Sequence, residues 1–167
     1  MKPSGDRIGR RNLLADRGET TAEPAAAPLR VLIVEDSVKD ARVVQEYLRR
    51  DDSAIEVHTA FRLSDALEVA RTQPLDAILL DMSLPDAEGV DAVRRMRAGA
   101  PQVPIVILSG LEDQSVATKA VQAGAQDYLI KGHVDDVTLR HALRYAIERQ
   151  QLLDRLANSE ARLQEEN

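Results

Sequence analysis

Cysteine is absent from this chain, which removes disulfide frameworks and thiolate metal sites together. Aromatic residues make up only 2% of it, so a core has to be assembled from Leu, Val, Ile and Ala, which suits layers of sheet and helix. The histidines His58, His133 and His141 are too scattered to suggest a zinc cluster, and none pairs recognisably with a nucleophile. No apolar run approaches the roughly 20 residues needed to span a bilayer, and the first residues lack the apolar segment of a secretory signal. A cytoplasmic protein without membrane contact is the expectation. Positive charge is also in deficit, with 22 Lys and Arg against 28 Asp and Glu and a net charge of -6. That argues against direct nucleic-acid binding, which relies on clustered cations.

The chain has 167 residues, 44% of them hydrophobic and 30% charged. That is enough for one domain with a full core and some extra, and too little for two ordinary domains. Residues 1 to 28 mix Gly, Pro, Thr, Ala and both signs of charge without periodicity, and close on Glu23-Pro24-Ala25-Ala26-Ala27-Pro28. They read as a disordered leader. Within it Ile8, Leu13 and Leu14 could share one face of a short, uncapped helix.

From Leu29 the texture changes. Leu29-Arg30-Val31-Leu32-Ile33-Val34 is a nearly continuous apolar run rich in β-branched residues, as a strand buried on both faces requires. A helical stripe follows at Ala41, Val44 and Leu48, then a strand at Ile55 to Thr59, then a stripe at Leu63, Ala66, Leu67 and Ala70 that Pro74 ends. Asp76 to Leu80 reads as a third strand, followed by a loop with Pro85 and Gly89. Val90, Val93 and Met96 mark a short helix, Pro104 to Leu108 a fourth strand, and Val116, Ala120 and Val121 a helix ended by Gly124. Asp127 to Ile130 is the fifth strand, and a last helix begins near Asp136. Five strands alternating with five helices predict an α/β fold with a doubly wound five-stranded parallel sheet, flavodoxin-like in order 2-1-3-4-5. The ligand site of such a sheet lies beyond the carboxyl ends of its strands, where the winding reverses.

The strand ends are polar at every central position. Strand one runs into Glu35 and Asp36, strand three into Asp81, strand four into Ser109 and strand five into Lys131. Three carboxylates gathered closely raise one another's pKa, a penalty that a bound cation removes. Magnesium, a hard ion that prefers oxygen and bridges carboxylates to phosphate, is the natural candidate. A lysine and a hydroxyl at the same edge can then neutralise and hydrogen-bond a phosphoryl group. Asp36 and Ser37 also carry a plainer alternative, the capping of the helix that follows.

At these residues the sequence resembles the CheY-like receiver domains of two-component response regulators, over about residues 29 to 150. Glu35-Asp36 is similar to the family's acidic pair, and Asp81, within Asp81-Met82-Ser83-Leu84-Pro85-Asp86-Ala87-Glu88-Gly89, to its phosphoacceptor. Ser109 matches its switch hydroxyl, Tyr128 its switch aromatic and Lys131 its lysine. The resemblance implies that Asp81 takes a phosphoryl group from a sensor histidine kinase or phosphotransfer protein. It implies magnesium held by Asp36, Asp81 and the Ser83 carbonyl, with Glu35 ordering a metal-bound water. It further implies no enzyme acting on a separate substrate, only self-phosphorylation and dephosphorylation. One position departs from the pattern: Gly132 follows Lys131 where the family usually has proline in a cis peptide.

Two other functions share the fold. A magnesium phosphohydrolase of the haloacid dehalogenase type also places an aspartate after a parallel strand, but resembles Asp-x-Asp there, and Ser83 stands at the second acid. A flavodoxin-like carrier needs a phosphate-binding Ser, Thr and Gly loop after strand one, where Glu35-Asp36 would repel the phosphate. A degenerate receiver, folded as a scaffold, usually lacks the acceptor aspartate or the lysine, and both are present.

Thr138 to Glu166 contains neither Gly nor Pro. Leu139, Ala142, Ala146, Arg149, Leu153, Leu156, Glu160 and Leu163 fall at a and d spacing. Residues 151 to 167 are therefore expected to form a helical extension that pairs as a coiled coil in a homodimer, the alternative being a single solvated helix. Past Tyr145 the sequence resembles the signalling helices that join receivers to other modules.

Overall fold

The computed structural model describes residues 27–50, 54–110 and 113–166. The expected leader and its short helix at Ile8 to Leu14 lie outside the described residues, apart from Ala27 and Pro28.

The elements run β1 (Leu29–Val34), α1 (Val38–Arg49), β2 (Ile55–Ala60), α2 (Leu63–Thr72), β3 (Ala77–Leu80), β4 (Ser83–Leu84), β5 (Ala87–Glu88), α3 (Gly89–Gly99), β6 (Ile105–Ser109), α4 (Gln114–Gln122), β7 (Asp127–Ile130) and α5 (Asp136–Glu165). The five long strands form one sheet in the order β2-β1-β3-β6-β7, every pair parallel. This is the expected winding. β4 and β5 are an addition: the segment expected as a loop closes on itself as a small antiparallel hairpin pairing Ser83 with Glu88 and Leu84 with Ala87. Two-residue strands are too short to leave a period in the sequence. Gly89 opens α3 directly after the hairpin with a φ of 60°, a left-handed conformation that glycine adopts without a Cβ penalty.

Strand side chains alternate between the faces, and the core divides accordingly. Leu32, Val34, Ile78, Leu80, Ile105 and Ile107 meet Leu63, Ala66, Val93 and Met96 of α2 and α3 on one face. Val31, Ile33, Ala77, Leu79, Val106 and Leu108 meet Ala41, Val44 and Leu48 of α1 and Leu139, Leu143 and Ala146 of α5 on the other. Each fully buried aliphatic side chain contributes about 1.5–3 kcal/mol relative to exposure. Both faces are covered, which explains why the central strands read as apolar runs and not as alternating ones.

α5 is unbroken for 30 residues, about 45 Å of helix. Its near half belongs to the domain. Leu139 and Ala146, two positions of the eight-residue seam read from the sequence, fill this chain's own core. Leu153, Leu156 and Leu163 of the same seam are exposed, at 49%, 61% and 61%. At the crossover between the halves, the buried Gln150 accepts from Gln126 Nε2 at 2.9 Å and donates to Asp154 at 3.0 Å.

Candidate functional site

The sheet's hydrogen-bond ladder continues past the last apolar residue of each central strand, which fixes the polar residues that follow. Glu35 donates its backbone N–H to Ala60 at 3.0 Å, Asp81 to Val34 at 2.9 Å, and Lys131 to Ser109 at 2.9 Å. The side chains that emerge at this edge are therefore held by backbone rungs instead of by a mobile loop. Glu35, Asp81 and Ser109 are buried at 4%, 7% and 3% exposure, whereas Asp36 is exposed.

The structure brings Glu35, Asp36 and Asp81 together, with one carboxylate oxygen from each within 4.8 Å of the others. An all-carboxylate set, with Asp36 open to solvent, fits a hard divalent cation that retains some of its water. The capping alternative at Asp36 and Ser37 resolves in favour of the serine: Ser37 Oγ accepts the Asp40 N–H at 3.3 Å. Asp36 is thereby free of that task. Ser83 begins β4 and is exposed, its N–H directed at Asp81 Oδ1 at 3.4 Å. Ser109 ends β6 beside Ile130 in the sheet register.

Lys131 reaches into the cluster from the end of β7. Its Nζ lies 2.5 Å from Glu35 Oε2, 3.1 Å from Asp40 Oδ2 and 3.6 Å from Asp81 Oδ2. Burial works against its charge, but the Glu35 hydrogen bond, Asp81 and Asp40 outweigh it and hold the ammonium above its usual pKa. Glu35 moves up as well. Burial pushes its carboxyl to about 7, against the pull of Lys131 and the Ser37 N–H, with Asp81 adding repulsion. Lys131 thus meets three carboxyl groups at this edge, and burial makes Glu35 a weaker acid than an ordinary glutamate.

Tyr128 is half-buried on β7 and packs against the core face that carries α2 and α3. No described peptide bond is cis, so the Lys131–Gly132 bond is trans. A Cβ at Gly132 would meet nothing within 4 Å, and the departure from the family pattern leaves the placement of Lys131 intact. His58 pairs with Glu56, lies on β2 and is not one of the three clustered groups.

Two acidic residues at this edge escaped the sequence reading. Asp40, on the first turn of α1, contacts Lys131 across 91 positions; its only signal is its place one residue ahead of the Ala41, Val44, Leu48 stripe. Asp86, in the turn of the β4–β5 hairpin, accepts from the backbone of α2. The signal for it was the absence of a capping side chain at Arg62, the residue before that helix.

A family model for the response regulator receiver domain matches residues 31–144. Over 117 residues, 69% of this chain, the sequence is 32% identical to the cell cycle transcriptional regulator CtrA of Caulobacter vibrioides. It is 37% identical over 118 residues to the regulatory protein LuxO of Vibrio cholerae. The chain spans half the length of CtrA and a quarter of LuxO. Among solved structures, the receiver domain of sensor histidine kinase PA1611 from Pseudomonas aeruginosa PAO1 is 31% identical with a TM-score of 0.64. The match covers 73% of this chain and 99% of that one, which has a magnesium ion coordinated in its active site cleft.

Proposed function

Since this chain belongs to the response regulator receiver family, we propose that it is a phosphoryl-accepting switch in which Asp81 is the acceptor. The observation that carries this reading is the convergence of Asp81, Glu35, Asp36 and Lys131 at the carboxyl edge of one sheet. Receivers interact with histidine kinases or phosphotransfer proteins, and the donor here is taken to be a phosphohistidine on such a partner. An Asp81 oxygen forms the new O–P bond as the donor's P–N bond breaks, and the imidazole leaves with the electron pair. Lys131 neutralises the incoming phosphoryl oxygens, and Ser109 supplies a hydroxyl to one of them. Asp36, Asp81 and the Ser83 carbonyl are the proposed holders of magnesium, with Glu35 orienting its water. That ion, when bound, screens the phosphoryl group from the carboxylates and stabilises the charge that develops on its oxygens. Phosphorylation then shifts a two-state balance, because Ser109 and Tyr128 interact differently in each state. Catalysis is confined to the chain's own phosphorylation and dephosphorylation.

The output is assigned to α5. Tyr145, Leu152, Leu156 and Leu163 are all exposed, at 67%, 58%, 61% and 61%, and fall within about 40° of one another around the helix. That stripe lies about 130° from the Leu139, Leu143 and Ala146 face that packs on the sheet, so a second chain can approach it without displacing the domain. In a parallel pair, Arg155 flanks the stripe opposite Glu160 of the partner subunit, a complementary charge pair of the kind that sets register. A weak homodimer through this helix is the reading they support. Direct contact with nucleic acid or membrane is not part of it, and no described helix is long and apolar enough to cross a membrane.

The decisive experiment is intact-mass measurement after incubation with acetyl phosphate or phosphoramidate. With magnesium, one phosphoryl group should be added. No addition under any condition would overturn the acceptor reading in favour of a scaffold. Sustained release of phosphate from unrelated phosphate esters would point instead to the phosphohydrolase.

A further inference from the structure

Lys131 has more acidic partners than a single lysine can serve once a phosphoryl group arrives. Its nearest, Glu35, has a side chain only 5% exposed, so water cannot readily take the lysine's place there. The second, Asp40, has a side chain 43% exposed, and water can replace the lysine there at little loss. The third, Asp81, is the acceptor itself and stands farthest off, at 3.6 Å. Asp40 and Lys131 both line a small cavity, about 100 Å³, whose walls include Val44, Tyr47, Leu108 and Val134. The lysine head thus contacts Asp40 of α1 more closely than it contacts Asp81, at 3.1 Å against 3.6 Å. Asp40 is not one of the three clustered carboxylates; it acts on Lys131 and not on the cation position.

We propose that Asp40 is a positioning residue that holds Lys131 from the first turn of α1 and competes with the phosphoryl group for its ammonium. The inference rests on the receiver reading and adds to it a residue outside the set that the family resemblance supplied. A phosphoryl group on Asp81 brings about two negative charges and three strong acceptor oxygens, enough to outbid a half-exposed aspartate. An ammonium has three donors, so Lys131 can keep Glu35 while exchanging Asp40 for phosphoryl oxygen. Asp40 thus sets a threshold: the stronger its hold, the more donor is needed to load the site.

The test uses the full chain with magnesium and phosphoramidate, following the initial rate of mass addition against donor concentration. Asp40→Asn, which keeps shape and removes charge, should lower the half-maximal donor concentration by about two- to fivefold, the range for a half-exposed ion pair. Structural damage would move it the other way, and an unchanged melting temperature separates the two. In a Lys131→Ala background the same substitution should change nothing, because its effect passes through the lysine. The inference is overturned if Asp40→Asn and Asp40→Ala label like the wild type or less readily, or if the gain persists without Lys131. Should the wild-type chain itself take no label, the receiver reading falls, and this inference with it.

Discussion

Asp86 caps a helix that begins 23 residues before it: one carboxylate oxygen accepts the Leu63 N–H at 2.8 Å. The other accepts the Ser64 N–H at 2.9 Å. The loop that follows the acceptor strand is thereby tied to the start of α2, where Arg62 provides no cap of its own. The Ser64 bond, against the opposing effect of desolvation and with help from Leu63, draws the Asp86 carboxyl below its usual value of 3.8.

Replacing Asp86 with alanine should lower stability at neutral pH by about 1 kcal/mol, the common loss for a helix cap. Because the folded-state pKa is depressed, the stabilisation is complete above the unfolded value and disappears as pH falls through the folded one. Urea unfolding of wild type and Asp86→Ala should therefore differ at pH 7 and converge in acid, below the usual aspartate range. A gap of constant size across that span would show that the cap is not the origin of the difference.

Asp81→Asn should take no phosphoryl group from acetyl phosphate, whatever the magnesium concentration, while the wild type gains one. The amide keeps the shape of the carboxylate and loses its nucleophilic oxygen. Equal labelling of the two proteins by mass would remove Asp81 from its role. Chelation of the cation should stop labelling of the wild type, since the uncompensated acidic cluster repels the donor.

Lys131→Ala should still bind magnesium, measured by calorimetry, yet lose the conformational response to phosphorylation. The fold should survive, because burial already makes Glu35 a weak acid and it can take up the proton that the lysine's removal calls for. Ser109→Ala and Tyr128→Ala are expected to label at Asp81 but to show a reduced shift in solution scattering. A full shift in both variants would place the switch elsewhere.

A chain ending at Gln150 should be monomeric where the intact chain is in concentration-dependent exchange with a dimer, as read by sedimentation across the micromolar range. Leu156→Asp should act like the truncation, since it places a charge in the middle of the exposed stripe. Two monomers, or two equally dimeric species, would move the pairing surface off the tail.

The sheet was legible because its central strands are short apolar runs that burial on both faces favours; Ala77 to Leu80 has no exposed member. The site was legible for a related reason: each run stops at a polar residue, and parallel pairing puts all the stops on one edge. The hairpin after Asp81 was not, since β4 and β5 have two residues each. Asp40 and Asp86 were hidden more thoroughly, because both bond to groups distant in sequence and lie on no stripe. The tail's helical state was plain from Thr138 onward, whereas which of its faces stays open depended on Leu139 and Ala146 being claimed by the core.

The Gln126–Gln150–Asp154 chain sits where α5 leaves the domain, and from there to Glu165 the helix extends about 22 Å. A rod anchored only at its base works as a lever. Tilting that base by 10° carries the tip through about 4 Å, most of the pitch of one helical turn. A rearrangement among buried side chains too small to alter the core can thus reach the far end as a displacement large enough to break or re-register a contact there.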